Sequence, residues 1–232
     1  MKSVLITGGT VRLGKAIASR LMAEGWRVIA SSHRADAGAD IVADLAEPMG
    51  AAKLYAAAIQ LLGGNPPDAL VNNAALFVGD AAAIAAVNLE APKKLTMLMA
   101  GRDAGLGAVV NILDSVILWS LGSVGSRGLT LSDFKDSKDP KSPYLASKRE
   151  LLAFTKTAAA TFAATLRVNG VAPGPVMAPV DVHEKAGEML LDRRPTPDDV
   201  AAAVSYLLGA GATTGCVIPV DAGQHLLEAR RD

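Results

Sequence analysis

The stretch Ser3-Val4-Leu5-Ile6-Thr7-Gly8-Gly9-Thr10-Val11-Arg12-Leu13-Gly14 runs from an apolar segment through a glycine-rich turn into a helical pattern. Ser3–Thr7 reads as a strand. From about Leu13 to Glu24 the apolar residues Leu13, Ile17 and Leu21 recur on one helical face, and Gly25 stands where a C-terminal cap belongs. A strand that is apolar throughout, rather than alternating, belongs to a parallel sheet covered on both faces.

The same rhythm continues along the chain. Arg27–Ser31, Asp40–Ala43, Asp68–Asn72, Ala108–Leu113, Arg167–Val171 and Cys216–Val220 read as strands. Between them, Lys53–Leu62, Ala81–Met99, Tyr144–Phe162 and Pro197–Leu208 read as helices, with Pro92 marking a boundary or kink. Helices alternating with buried strands predict an α/β fold, a Rossmann-like doubly wound parallel sheet with helices on both faces. No linker or internal repeat divides the chain, so 1–232 is expected to be one nucleotide-binding domain. One segment breaks the rhythm. Leu121–Pro143 is rich in Gly and Ser and then in charge (Asp133, Lys135, Asp136, Lys138, Asp139, Lys141), an inserted loop at about 121–143. Loops of that length are either solvated excursions or functional covers.

Composition narrows the class. Of 232 residues, 50% are hydrophobic, 20% charged and 4% aromatic, which excludes a disordered chain. A lone cysteine, Cys216, excludes a disulfide scaffold and reads as a small buried hydrophobe in a strand. The 23 basic and 23 acidic side chains cancel, so no global field draws in nucleic acid or an anionic membrane. No apolar run approaches the roughly 18 residues of a membrane span, and no leader-like segment follows Met1-Lys2. These readings predict a cytoplasmic protein that takes a small-molecule substrate, with no nucleic acid, no membrane and no metal among its ligands.

The glycine turn between first strand and first helix is a place where backbone can approach a pyrophosphate, because glycine removes the side chain and the helix start offers free N–H groups. A tight strand–helix turn needs glycine in any case; at the first strand–helix junction of an α/β chain, dinucleotide binding is the better account. The second strand ends Ser31-Ser32-His33-Arg34, with no acid until Asp36. A carboxylate there would bond a ribose 2′-hydroxyl; a basic, hydroxyl-rich corner suits a 2′-phosphate instead. NADPH is therefore the expected cofactor, unless His33 and Arg34 are ordinary exposed turn residues.

Tyr144 and Lys148 lie four residues apart near the start of a helix and share a face. A nearby ammonium stabilises a phenolate and is expected to lower the Tyr144 pKa, so that the phenol can exchange a proton with a substrate. The spacing alone is common and fits surface packing equally well.

Taken with their order, these motifs resemble the short-chain dehydrogenase/reductase family along nearly the full length of the chain. The glycine turn, Asp44-Leu45, Asn72-Asn73-Ala74-Ala75, Asn88, Tyr144-x-x-x-Lys148 and Val168-Asn169-Gly170-Val171-Ala172-Pro173-Gly174 follow one another as in that family. The resemblance implies that Gly8, Thr10, Arg12, Leu13 and Gly14 cradle the cofactor and that Asp44 and Leu45 border its adenine. It implies too that Asn72, Asn73 and Ala74 support the cofactor, that Pro173, Gly174 and Val176 border the nicotinamide, and that Asn88 holds a water relay behind Lys148. Buried structural amides are the other reading of Asn72, Asn73 and Asn88.

Three features resemble the pteridine reductases within that family: Arg12 in the glycine turn, His33-Arg34 after the second strand, and Asp114 three residues after Asn111 in place of a serine. Phe77 falls where such enzymes stack a pterin, a contact worth roughly 1 kcal/mol, although it also suits a core aromatic. The resemblance implies a substrate site of Arg12, Phe77, Asp114 and Tyr144, and NADPH-dependent reduction of a dihydropteridine, dihydromonapterin or dihydrofolate-like ring. The departures are the long segment before Tyr144, an apolar Leu76 where a polar residue would serve a pterin, and Ser115, which takes over from Asp114 if the loop shifts the register. The rivals are a carbonyl reductase acting on a 3-oxoacyl or sugar ketone, and an NADPH-sensing protein without chemistry. A homotetramer or homodimer is implied by the family, and the Ala-rich runs at 81–86 and 158–164 allow close helix approach there or on the sheet.

Overall fold

A computed structural model describes residues 1–121, 142–177 and 188–227. Seven strands form one parallel sheet: β1 (Ser3–Ile6), β2 (Arg27–Ser32), β3 (Ile41–Val42), β4 (Ala69–Asn72), β5 (Gly107–Ile112), β6 (Leu166–Pro173) and β7 (Val217–Val220), in the order β3-β2-β1-β4-β5-β6-β7. The helices are α1 (Arg12–Ala23), α2 (Gly50–Leu61), α3 (Ala81–Ala85), α4 (Ala91–Ala100), α5 (Ser142–Thr161) and α6 (Pro197–Gly209). This is the expected doubly wound α/β architecture. The sheet grows outward from β1 to β3 and then returns to place β4 on the other side of β1. That reversal opens a crevice at the C-terminal strand ends, where such sheets bind ligands.

Period-two alternation sorts the strand side chains between two helical layers. Leu5, Leu70, Val109 and Val168 face α2, α4 and α5, packing with Leu54, Leu95, Met99 and Ala158. Val4, Ile6, Val71, Val110 and Val171 face α1 and α6, packing with Ile17, Leu21, Val204 and Leu207. On α1 the buried positions Gly14, Ile17, Ala18 and Leu21 are one stripe, and Gly25 follows it at φ 85° as the cap expected from sequence. The start of α6 is a capping box: Thr196 and Asp199 each accept from the other's backbone, with Pro197 in the first turn.

Several boundaries differ from expectation. The segment read as one helix over 81–99 is α3, a π-helical turn over Ala86–Glu90 and then α4, with Pro92 in the first turn of α4, where a missing N–H costs nothing. The third strand is only Ile41–Val42; just before it, Asp40 donates its N–H to the Ala30 carbonyl at 2.9 Å and accepts the Ala30 N–H on its carboxylate at 2.8 Å. Cys216 precedes β7 and is half-buried, not a buried strand residue. Residues 122–141, the body of the expected inserted loop, lie outside the described residues. Among the described residues no helix is long and apolar enough to cross a membrane.

Arg167 is 8% exposed yet meets no carboxylate among the described residues; its guanidinium donates to the Leu207 and Leu208 carbonyls, both at 2.8 Å, and to Thr213 O at 3.3 Å. It therefore closes the C-terminus of α6, where unpaired carbonyls gather negative charge. Arg167→Leu should strand these carbonyls and lower the unfolding free energy by about 3 kcal/mol. Urea denaturation checks this, and a change under about 1 kcal/mol would mean that the carbonyls find other donors.

Candidate active site

At the C-terminal strand ends lies a cavity of about 640 Å³. Its floor is the turn between β1 and α1. Gly8 takes φ 63°, and a methyl group on Gly14 would collide with the Gly8 carbonyl, so glycine is required for α1 to pack down on the turn. Asn73 clamps this turn, donating from Nδ2 to Thr7 O and Gly8 O, both at 3.0 Å. Thr7 Oγ1 answers by accepting from the Asn73 and Ala74 N–H groups at 2.9 and 3.0 Å. Arg12, which stands where a glycine is usual, adopts φ 49°, a left-handed conformation that costs an ordinary residue roughly 1–2 kcal/mol.

The start of α1 is built to receive an anion. Val11 supplies no side-chain cap and the first turn carries no acid. The Thr10 hydroxyl is buried without a hydrogen-bond partner at the same place. Uncapped N–H groups beside an unpaired hydroxyl suit phosphate oxygens. At the next corner of the cavity stand Ser31 and Ser32, then the exposed His33 and Arg34. Asp44 and Leu45 line it beyond them. Gly8, Thr10, Arg12, Leu13, Gly14, Asn73 and Ala74 all line the cavity, as do Pro173, Gly174 and Val176 at the far end.

The reactive groups meet across β5 and α5. Tyr144 donates its hydroxyl to Asp114 Oδ2 at 2.8 Å, while Asp114 Oδ1 accepts the Val116 N–H at 3.0 Å. The Lys148 ammonium donates to the Ile112 carbonyl at 2.8 Å and lies 5.7 Å from the centre of the Tyr144 ring. All three line the cavity. The electrostatics correct one expectation. Burial raises the Tyr144 pKa well above the usual phenol value, and the Asp114 carboxylate beside it raises it further. The phenol is held protonated chiefly by burial, and the carboxylate that accepts its hydrogen bond adds to the effect. Burial also lowers Lys148 from 10.5 to about 8, against the opposing pull of Asp114.

Other expected positions fall elsewhere. Asn72 is 3% exposed, lies outside the cavity and donates to Asn111 Oδ1 at 2.8 Å. It is a structural amide, because its side chain crosses to β5 and does not turn upward into the crevice. Asn88 is also outside the cavity. Its side chain accepts from Leu76 N–H at 2.8 Å and donates to Leu76 O at 2.9 Å and Ser147 Oγ at 3.2 Å, so the side chain makes no bond toward Lys148. Phe77 is not in the wall either; it packs edge-on against Tyr144, ring centres 4.9 Å apart at 62°. Ser115 is fully buried with an unpartnered hydroxyl, outside the cavity, so the phenol meets the acid and not the serine. Sequence reasoning passed over Asn111 and Thr155, which continue the buried chain from Asn72 (Asn111 Nδ2 to Thr155 Oγ1, 2.9 Å), and over Ser147. Ser147 sits three residues after Tyr144, a spacing that was available as a signal.

The chain is similar to known proteins in sequence and in fold. A family model described as enoyl-(acyl carrier protein) reductase matches residues 11–225. A Streptomyces violaceoruber protein assigned as a ketoacyl reductase of the granaticin polyketide synthase is 31% identical over 258 aligned positions, covering 96% of each chain. The crystal structure of FolM alternative dihydrofolate reductase 1 from Brucella canis, complexed with NADP, superposes with TM-score 0.77 at 29% identity, covering 97% of this chain and 94% of that one. A short-chain dehydrogenase from Burkholderia cenocepacia, in complex with NADP, superposes with TM-score 0.78 at 26% identity, covering 96% and 97%.

Burial of Lys148 has a measurable linkage. Between about 8 and 10.5 the unfolded chain binds a proton that the folded chain does not, so stability from this group rises with pH across that window. The unfolding free energy of the wild type, minus that of Lys148→Met, should be flat below the window and climb through it in denaturation series at stepped pH. A difference that stays level or falls there would mean the ammonium is solvated.

Proposed function

The chain belongs to the short-chain dehydrogenase/reductase family, and from that premise we propose that it is an NADPH-dependent reductase of a dihydropteridine ring. Gly8, Thr10 and the first-turn amides of α1 would hold the pyrophosphate, and His33 and Arg34 the 2′-phosphate. Asp44 and Leu45 would border the adenine; Asn73, Ala74, Pro173, Gly174 and Val176 would border the nicotinamide. Thr10's unpaired buried hydroxyl and the uncapped helix start support this fit. When bound, NADPH supplies a hydride to a carbon of the substrate's C=N bond.

The chain's own groups handle the proton. Tyr144 carries it on its phenol oxygen, next to where the substrate nitrogen would sit, and gives it up as that nitrogen gains electron density. Asp114 orients the hydroxyl by accepting its hydrogen bond, and the proton that the phenol gives up is replaced by one taken from solvent through the half-exposed Asp114 carboxylate, which lines the cavity. Lys148 contributes a positive charge beneath the phenol ring and a donor for the nicotinamide ribose. Arg12, on the rim, would meet both a phosphate and the ring, and Phe77 buttresses Tyr144 from its edge.

The observation that carries the substrate class is the 2.8 Å bond from Tyr144 to a carboxylate. A carbonyl oxygen gaining negative charge needs neutral or positive donors around it, and an ionised acid there would oppose it. A ring bearing N–H donors accepts that acid as a partner. The relative assigned as a ketoacyl reductase favours a second reading, reduction of a 3-oxoacyl or sugar ketone. One substitution separates them. Asp114→Ser should cut kcat for a dihydropteridine by about 100-fold, read as loss of NADPH absorbance; a carbonyl reductase would keep or raise its ketone turnover. A wild type that reduces ketones and no dihydropteridine overturns the proposal. Arg34→Ala should weaken NADPH by about tenfold and leave NADH unaffected in fluorescence titration; equal effects on both would remove the 2′-phosphate role.

A further inference from the structure

Ser147 is 4% exposed and lies outside the cavity, so it touches neither substrate nor cofactor. Both capacities of its hydroxyl are used: it donates to the Tyr144 carbonyl at 2.7 Å and accepts from Asn88 Nδ2 at 3.2 Å. Asn88 in turn holds both backbone groups of Leu76, at 2.8 and 2.9 Å. Leu76 lines the cavity, and the next residue, Phe77, rests its ring against Tyr144 at 4.9 Å. The contacts form a closed ring: Tyr144, Ser147, Asn88, Leu76, Phe77 and back to Tyr144.

We propose that Ser147 is a positioning residue that ties the Leu76–Phe77 segment to Tyr144 and so keeps the phenol aligned on Asp114. Serine is a poorer helix former than alanine in a helix interior, because its hydroxyl competes for backbone. A position that needed only to fill space would be better served by alanine. The π-helical turn over Ala86–Glu90 contributes too, since it interrupts the helix at Asn88, where the amide reaches both Leu76 and Ser147. Without the hydroxyl, Asn88 loses the bond that fixes its amide between Leu76 and the start of α5, and the Leu76–Phe77 segment is left tied to Tyr144 by apolar packing and the ring contact of Phe77. Tyr144 then gains freedom to leave Asp114, which costs turnover rather than cofactor affinity.

The turnover arm of the test rests on the proposed reaction; the exchange arm does not. In full-length Ser147→Ala, amide hydrogen exchange at Leu76 and Phe77 should speed up about tenfold, with Val168 in β6 unchanged. With NADPH and a dihydropteridine, kcat should fall by about tenfold while the KM for NADPH holds. Ser147→Thr, whose hydroxyl can bond a preceding helical carbonyl, should restore both. Wild-type exchange and kcat in the alanine variant, faster exchange at Val168 to the same degree, or a threonine variant that restores neither reading would each overturn the proposal. A wild type inactive on dihydropteridines, with the exchange pattern as expected, overturns the substrate reading and leaves the tie standing.

Discussion

The bond from the Tyr144 hydroxyl to the Asp114 carboxylate crosses from α5 to the end of β5, so it forms only if that helix is held in register on the sheet. A chain of buried side chains does this. Asn72 on β4 donates to Asn111 on β5, Asn111 donates to Thr155 on α5, and the Thr155 hydroxyl donates to the Leu151 carbonyl one turn earlier, at 2.7 Å. Apolar contacts along α5 tolerate sliding; a buried amide that must find its partner does not, because an unmatched polar group in the core costs about 1–3 kcal/mol. Lys148 adds a second pin through the Ile112 carbonyl at the end of β5.

That pinning produces an unusual electrostatic arrangement. Three titratable groups meet at one end of the cavity, with Tyr144 8% and Lys148 2% exposed and Asp114 half-buried. Withdrawal from water disfavours every charge, so the phenol stays neutral and the ammonium becomes easier to deprotonate. Asp114 pulls the two in the same upward direction, dominating neither. A neutral phenol that already donates to an anion has its one proton committed to that bond.

At the other end of the crevice the same economy of contacts shapes the nucleotide floor. The reversal of strand order between β1 and β4 opens the crevice at the C-terminal strand ends, lined there by Ser31, Ser32, Ile112 and Pro173. Asn73, Thr7 and the two glycines lock the turn beneath it, while Val11 gives the start of α1 no side-chain cap and the buried Thr10 hydroxyl has no partner among the described residues. Arg12 in a left-handed conformation is a local strain that a glycine would relieve; it brings a guanidinium to the rim in exchange.

Much of this was legible in the residues. Unbroken apolar strands, a glycine turn at the first junction and the helical stripe of Ile17 and Leu21 determine a parallel α/β sheet, because burial on both faces and helical spacing are properties of local pattern. Asp114, Tyr144 and Lys148 were legible as chemistry for the same reason: their residue types and order stand in the chain itself. What the sequence did not carry is who meets whom. The direction of the Tyr144 shift, the withdrawal of Asn72 and Asn88 from the cavity, and the part of Ser147 all depend on contacts between segments far apart in the chain. Only the packed tertiary structure decides those, since an amide's role is set by the partner within 3 Å of it and not by its neighbours along the chain.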